Sequence, residues 1–295
     1  MQSSNKVLMV KPASFGFNSE TALSNSFQHP SSSTNDSEKA VAEFELFVEK
    51  LRNQGVSVVV VDDTNWPQKP DAIFPNNWFS VHESGEIFLY PMLTSNRRQE
   101  VRTDIFQDFM NSKYEIVDLR RDYSEILEGT GSMVLDRVNK IAYACISERT
   151  NENLFLKWCA RMNFSPVVFH ATNKDGRSIY HTNVIITVAT DFVLICLESI
   201  STISERNNVI QSITNSGKVL IDLSMDQMQK FCRNALEVIG SEEQKYLVCS
   251  KTAFSNYTQN QIATIEAYSK ILYVEIPTIE QIGGGSARCM LAELF

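Results

Sequence analysis

The sequence predicts an α/β chain of five helix-and-strand units closed about a pseudo-fivefold axis, a five-bladed β/α-propeller occupying residues 1–295 as one domain. Three observations predict it. An amphipathic helix followed directly by a β-branched strand recurs along the whole chain. The starts of these helices are evenly spaced. The first strand, in KVLMVKPASFGF, is not followed by the glycine string that a dinucleotide-binding doubly wound sheet would carry.

Residues 37–54 (SEKAVAEFELFVEKLRNQ) place Ala40, Val41, Phe44, Phe47, Val48 and Leu51 at helical spacing, begin at Ser37 and stop at Gly55. The run VSVVVVD at 56–62 then has strand length and composition. The same order returns in RRQEVRTDIFQDFMNSK then YEIVDLR, NENLFLKWCARMN then SPVVFHA, SERNNVIQSITNSG then KVLIDLS, and TQNQIATIEAYSK then ILYVEIP. Helices begin near 37, 97, 151, 204 and 258, a spacing of roughly 55 residues, which is the scale of a repeat architecture. Between them lie further strand-like segments: EIFLYPM, KIAYACI, YHTNVIITV and DFVLICLES. Each unit therefore reads as a helix plus several strands, and closure about a common centre brings the loops at one end together.

Composition excludes several classes. With 43% hydrophobic and 21% charged residues the chain builds a substantial core rather than remaining disordered. No apolar run approaches the roughly 18 to 20 residues that cross a bilayer, and MQSSNKVLMV lacks the order of a secretory signal, so the expected compartment is the cytoplasm with no membrane partner. A net charge of −8 without a dense Lys/Arg block argues against nucleic acid. The acidity would favour a cationic small molecule, yet dispersed surface carboxylates explain it equally well. The six cysteines form no C-x-x-C pair and have no matching histidine spacing, so neither zinc nor disulfides are expected.

The chemistry lies in the loops that leave each post-helix strand. Asp71 and Asn77 (PDAIFPNNWFS), Glu128 (EILEGTGSMVLD), His181 (SIYHTNVIIT) and Cys289 (QIGGGSARCMLAELF) occupy comparable positions, about nine to thirteen residues on. The fourth unit offers nothing comparable and reads as a helix, DQMQKFCRNALEVIG. Of 11 glycines, Gly129, Gly131, Gly283, Gly284 and Gly285 fall in two of these loops, where backbone must turn sharply or approach a ligand. A loose tail and a phosphate loop are the other readings of GGGSAR, and the second lacks the Lys-Ser/Thr ending. Cys145, Cys196 and Cys249 sit in apolar strands and Cys159 and Cys232 on helices, as small hydrophobes do, whereas Cys289 stands beside Arg288, whose charge would favour a thiolate. His29, His82 and His170 read as surface or core residues, and His181 opens a strand. Cysteine, histidine and an acid at matched positions supply nucleophile, proton carrier and orienting carboxylate.

These residues resemble the guanidino-group-modifying superfamily with the pentein fold, which includes arginine deiminases, amidinotransferases and dimethylarginine hydrolases. The resemblance spans nearly the whole chain. VLMVKPASFGFNSETALSNSFQ, PDAIFPNNWFS, NRRQE, LEGTGSMVLDR, SERTN, YHTNV and GGGSARCMLAE are more narrowly similar to the citrulline-utilisation hydrolases of that superfamily. The resemblance implies a catalytic Cys289, a proton-transferring His181 with Glu128 as its partner, and Asp71 on the nitrogen-rich head of the substrate. Arg149, with Arg97 or Arg98, resembles the arginines that hold the amino-acid carboxylate, a task suited to the planar guanidinium fork. Surface ion pairing is the competing reading of NRRQE.

Three departures from the superfamily pattern matter: Asn77 replaces an aspartate, GTG follows Glu128 in place of glycine-glycine-aspartate, and Asn183 replaces an aspartate two residues after His181. Each removes negative charge near the head group. A ureido oxygen accepts from an Asn NH₂, whereas a guanidinium gains from paired carboxylates, so Asn77 points to a citrulline-type substrate. The expected reaction is attack by Cys289, protonation of the departing nitrogen by His181, and hydrolysis of a thiol intermediate to ornithine, ammonia and carbon dioxide, without metal or organic cofactor. The alternatives are a guanidinium substrate, as for an arginine deiminase, dimethylarginine hydrolase or amidinotransferase, and a non-catalytic propeller that binds a macromolecule. The only partner implied is a small amino-acid substrate; a homo-oligomer is compatible with the sequence. Residues 26–38 read as a surface loop, with a lid as the alternative.

Overall fold

Strand-forming runs that are apolar on both faces must be covered on both sides, and the chain meets this demand by ringing five small sheets around one axis. A computed structural model describes residues 1–106, 114–121 and 123–295. The sheets contain three strands each. In the second, Phe79–Val81 pairs antiparallel with Glu86–Leu89, which pairs parallel with Glu115–Asp118. The third (Met133–Asp136, Ile141–Cys145, Ser165–Phe169), fourth (Ile186–Val188, Phe192–Ile195, Val219–Asp222) and fifth (Leu236–Ile239, Lys245–Ser250, Lys270–Val274) repeat that pattern.

The first sheet closes the ring. Lys6–Lys11 pairs parallel with Ser57–Asp62 and antiparallel with the C-terminal strand Ala292–Glu293, which supplies the missing inner strand. Inner strands touch between the first and second, third and fourth, and fourth and fifth sheets, and several line an axial cavity of about 440 Å³.

The core is divided accordingly. Val7 and Met9 point into a cluster with Phe44, Phe47, Leu51, Val248 and Val274, while Leu8 and Val10 point into another with Trp78, Phe79, Leu89 and Phe106. This is the two-residue alternation of a strand buried on both faces. The first helix, Asp36–Asn53, buries Ala40, Phe44, Phe47, Val48 and Leu51 in the first of these clusters, each large side chain contributing about 1.5–3 kcal/mol.

Four of the five expected helices form: Asp36–Asn53, Glu152–Met162, Ile203–Asn215 and Gln259–Glu266. The second differs. Only Ser95–Arg98 and a 3₁₀ turn at Thr103–Phe106 are helical, and the expected remainder at 107–113 lies outside the described residues. Arg97 is held inward by Glu100, three residues later. A second correction concerns DQMQKFCRNALEVIG: the helix is limited to Met225–Gln229, and Leu236–Ile239 is the inner strand of the fifth sheet. Phe231 takes a positive φ of 56° between them, so Cys232 lies in a turn rather than on a helix. Among the described residues no helix is long and apolar enough to cross a membrane.

Candidate active site

Between the outer strand of each sheet and the inner strand of the next, the chain runs through a loop of a dozen or more residues that contains a short helical turn. Those turns carry the expected residues. Asn77 ends a 3₁₀ turn before Phe79, Glu128 precedes the turn Gly129–Ser132, His181 precedes Thr182–Val184, and Cys289 lies within Ala287–Met290. His181 thus precedes its strand by one turn rather than opening it. Asp71, Asn77, Arg97, Arg149, His181 and Cys289 line a common cavity of about 280 Å³, together with Thr21, Asn25, Tyr180 and the Gly283–Gly285 loop. The larger axial cavity is lined by no cysteine or histidine, whereas Cys289 and His181 both line the smaller one.

Glu128 Oε2 lies 2.7 Å from His181 Nε2, and its Oε1 accepts from the Leu93 backbone N–H at 3.0 Å. Arg149 Nη1 stands 3.5 Å from the same Oε2. Burial would push the Glu128 carboxyl up, but Arg149, the His181 hydrogen bond and Arg97 outweigh it and hold the group well below the usual carboxylate range. His181 is pushed down to about 4, first by burial and then by Arg149 and Arg97, against the pull of Glu128. Near neutral pH the pair is therefore carboxylate and neutral imidazole. An ionised carboxylate only accepts, so Nε2 carries the proton and the other ring nitrogen is left as a base.

Glycine is required where these residues crowd. A β-carbon at Gly131 would stand 2.3 Å from Asn77 Nδ2 and 2.8 Å from the His181 ring, and Gly284 adopts a φ of +61° beside Gln28.

The cavity-lining polar groups divide by how far their hydrogen bonds are used. Asp71 Oδ2 accepts from Asn18 Nδ2 at 2.7 Å and Thr21 Oγ1 at 2.9 Å, while Oδ1 is buried without a partner. Burial pushes the Asp71 carboxyl up, and Arg97, Thr21 and Asn18 pull it back. Asn77 Oδ1 accepts from Arg97 Nη1 at 2.9 Å, leaving Nδ2 buried and unpartnered. Burying such a group without a partner costs about 1–3 kcal/mol, and groups of this kind mark a place for a ligand.

The arginines differ from one another. Arg97 lines the cavity but forks onto Glu100 through two bonds of 2.9 Å and donates to the Phe74 carbonyl. Arg98 lies off the cavity, donating to the Met92 and Leu93 carbonyls and covering the Tyr123 ring at 4.0 Å. Arg149 donates through Nε to Ser24 Oγ at 3.0 Å and through Nη2 to the Thr21 carbonyl at 3.0 Å, and it lies 4.8 Å from the centre of the Tyr180 ring. The expected effect of Arg288 on Cys289 is corrected. Its guanidinium turns away to donate to the Leu291 carbonyl at 2.7 Å and to pair with Glu293, so it faces the axial cavity.

The roof comes from residues 18–28, largely upstream of the loop singled out in the sequence. Gln28 Nε2 donates to the Gly283 carbonyl at 3.0 Å and Asn25 Nδ2 to that of Gly284 at 3.3 Å. Phe27 and Gln28 are buried, whereas residues 30–35 are exposed as a surface loop would be. Sequence reasoning also missed Asn234. Its Nδ2 lies 3.1 Å from Cys289 Sγ, so the fourth unit does deliver a residue to the site. The available signal was its offset, about a dozen residues past the strand ending at Asp222, which matches the other loops.

A family model described as N,N dimethylarginine dimethylhydrolase, eukaryotic, matches residues 11–295. The chain belongs to this family. Membership places it in the guanidino-group-modifying pentein superfamily. Solved structures agree on the fold. ArgZ, an arginine dihydrolase from the ornithine-ammonia cycle in cyanobacteria, matches with a TM-score of 0.75 at 16% identity over 97% of this chain and 40% of that one. The chain thus spans less than half of full-length ArgZ. The substrate-bound N-terminal domain of ArgZ matches with a TM-score of 0.75 at 15% identity, covering 98% of both chains. A dimethylarginine dimethylhydrolase from Pseudomonas aeruginosa, complexed with citrulline, matches with a TM-score of 0.68 at 13% identity over 98% of this chain and 99% of that one. No curated protein matches.

Proposed function

We propose that residues 1–295 form one catalytic domain that hydrolyses the ureido C–N bond of citrulline to give ornithine, ammonia and carbon dioxide. The supporting observation is Asn77. Its carbonyl oxygen is committed to Arg97, so the side chain presents only N–H to the cavity, a donor suited to a ureido oxygen and unsuited to a guanidinium, which has no acceptor. Charge supports the same reading. Glu100 is paired with Arg97, and Glu128 with Arg149 and His181, which leaves Asp71 Oδ1 as the unpaired carboxylate oxygen on a wall that also carries two arginines. A neutral head on a zwitterionic amino acid suits that balance better than a cation.

In the reaction, the proton of the Cys289 thiol passes to the free ring nitrogen of neutral His181, and the thiolate attacks the ureido carbon. The bond from that carbon to the side-chain nitrogen breaks, and the imidazolium returns its proton to the departing ornithine. Cys289 is left as a thiocarbamate. Water, deprotonated by His181, adds to it and restores the thiol, and the carbamic acid released splits into ammonia and carbon dioxide. Glu128 holds the imidazole and stabilises its charged form, Asp71 accepts from a substrate nitrogen, and Arg97 and Arg149 provide the positive wall for the carboxylate.

The unpaired oxygen of Asp71 favours a second reading, an arginine-type guanidinium substrate. Ammonia release measured on citrulline and arginine, and alkylamine release measured on dimethylarginine, separates them. The proposal expects kcat/KM to be highest for citrulline, and a higher value for arginine or dimethylarginine overturns it.

A further inference from the structure

Among the described residues no cationic side chain is hydrogen-bonded to the Cys289 sulfur. The Arg288 guanidinium points the other way, Arg233 donates to the Val184 and Ser224 carbonyls, and the neighbouring imidazole is neutral at rest. What surrounds Sγ instead is amide. Asn234 Nδ2 lies 3.1 Å from it and Asn234 Oδ1 3.5 Å, while Asn183 Nδ2 lies 3.6 Å away.

We infer that the carboxamide of Asn234 is a catalytic group, holding the Cys289 sulfur as a thiolate by donating from Nδ2 and steering its S–H, when protonated, by accepting at Oδ1. The inference rests on the reading of Cys289 as the nucleophile. An N–H donor aimed at an anion makes a bond roughly twice as strong as the same donor makes to a neutral acceptor, so the amide lowers the energy of the thiolate more than that of the thiol. The proton given up when the thiolate forms passes to the free ring nitrogen of His181, as in the proposed reaction, and no electron is transferred.

The local structure is built to hold this amide still. Asn234 is 3% exposed. Its backbone N–H donates to the Phe231 carbonyl at 2.8 Å, and its carbonyl accepts from the backbone N–H of Arg288, the residue before the nucleophile, at 3.4 Å. Thr187 Oγ1 donates to the carbonyls of the two flanking residues, Arg233 and Ala235. The turn from the fourth unit is thereby tied both to the fourth sheet and to the Cys289 turn, while the Asn234 side chain meets the sulfur through both its Nδ2 and its Oδ1.

The test is the pH dependence of Cys289 alkylation by iodoacetamide, read by peptide mass mapping so that the other buried cysteines do not contribute. In Asn234→Ala the alkylation midpoint is expected to move to higher pH, so that the rate falls about tenfold at pH values below the wild-type midpoint and recovers at high pH. Asn234→Asp keeps the shape of the side chain, places a carboxylate against the sulfur and is expected to raise the midpoint further; it carries the test if the alanine variant does not fold. With substrate, kcat falls and KM changes little. An unchanged midpoint in a folded Asn234→Ala or Asn234→Asp protein overturns the inference. Retained ammonia release in Cys289→Ser instead overturns the nucleophile reading, and the alkylation result is read without substrate, so the two failures are distinguishable.

Discussion

Arg149 ties the carboxylate of Glu128 to the roof of the cavity: its Nη1 lies 3.5 Å from Glu128 Oε2 and its Nε donates to Ser24 Oγ at 3.0 Å. The two charged groups are 2% and 0% exposed, so neither can be satisfied by water if the other is lost. Breaking a buried pair from one side costs about 3–5 kcal/mol because the surviving charge stays buried. Glu128→Gln is therefore expected to lower stability by about that amount, measured by urea unfolding, and also to reduce kcat by roughly 10²–10⁴-fold through loss of the imidazole's partner. Arg149→Ala is expected to show the same loss of stability together with a raised KM, because the roof loses its anchor.

Gly131→Ala tests the crowding of Asn77 against His181. The added methyl would stand 2.3 Å from Asn77 Nδ2 and 2.8 Å from the imidazole, so one of the two must move. A displacement on the order of 1 Å at a reacting group costs about 10²-fold in rate. The expected result is a kcat lower by about that factor in a protein whose circular dichroism is unchanged.

Asn77→Asp replaces the free N–H donor with an acceptor at the same place. The carboxylate keeps its contact with Arg97 and adds a negative charge toward the head group. The ratio of kcat/KM for arginine to that for citrulline is expected to rise by at least tenfold, read from ammonia release on both substrates. A ratio that stays at the wild-type value contradicts the part assigned to Asn77.

The His181 ring gives a pH signature. Its folded value is pushed down to about 4 from 6.5, so between those values the unfolded chain binds more protons than the folded one. Stability from this residue is full above about pH 6.5 and is lost as pH falls toward 4, a change on the order of 3 kcal/mol. The stability difference between the protein and His181→Gln should therefore grow in favour of the native residue as pH rises through this window. Denaturant unfolding at pH 4.5, 5.5 and 6.5 measures it, and kcat/KM should fall on the acid side with a midpoint near 4 as the base is protonated.

Much of this was legible in the sequence because two signals agree. Runs such as Val58–Val61 are apolar on both faces, which demands a sheet covered on both sides, and the helix-then-strand order repeats at even spacing. Loops at matched offsets then had to meet, and Asn77, His181 and Cys289 do line one cavity. The failures have the same physical origin as the successes. Asn234 sits in an apolar stretch whose spacing fits a helix, and what stops the helix is the positive φ at Phe231, a conformation that the residue type does not advertise. The direction of Arg288 is likewise set by Leu291 and Glu293, which adjacency to Cys289 conceals. Asn18 and Thr21 reach Asp71 across about fifty residues of chain, a separation at which local pattern carries no information.

Whether a sulfur–carbon bond forms on the reaction path is read by intact-mass spectrometry of the protein quenched with acid during turnover of citrulline. The expected result is an added mass equal to a carbamoyl group, mapped to the peptide containing Cys289 and absent in Cys289→Ser. Turnover of citrulline at a wild-type rate by Cys289→Ser, with no adduct in either protein, is the result that would contradict a thiol nucleophile at this position.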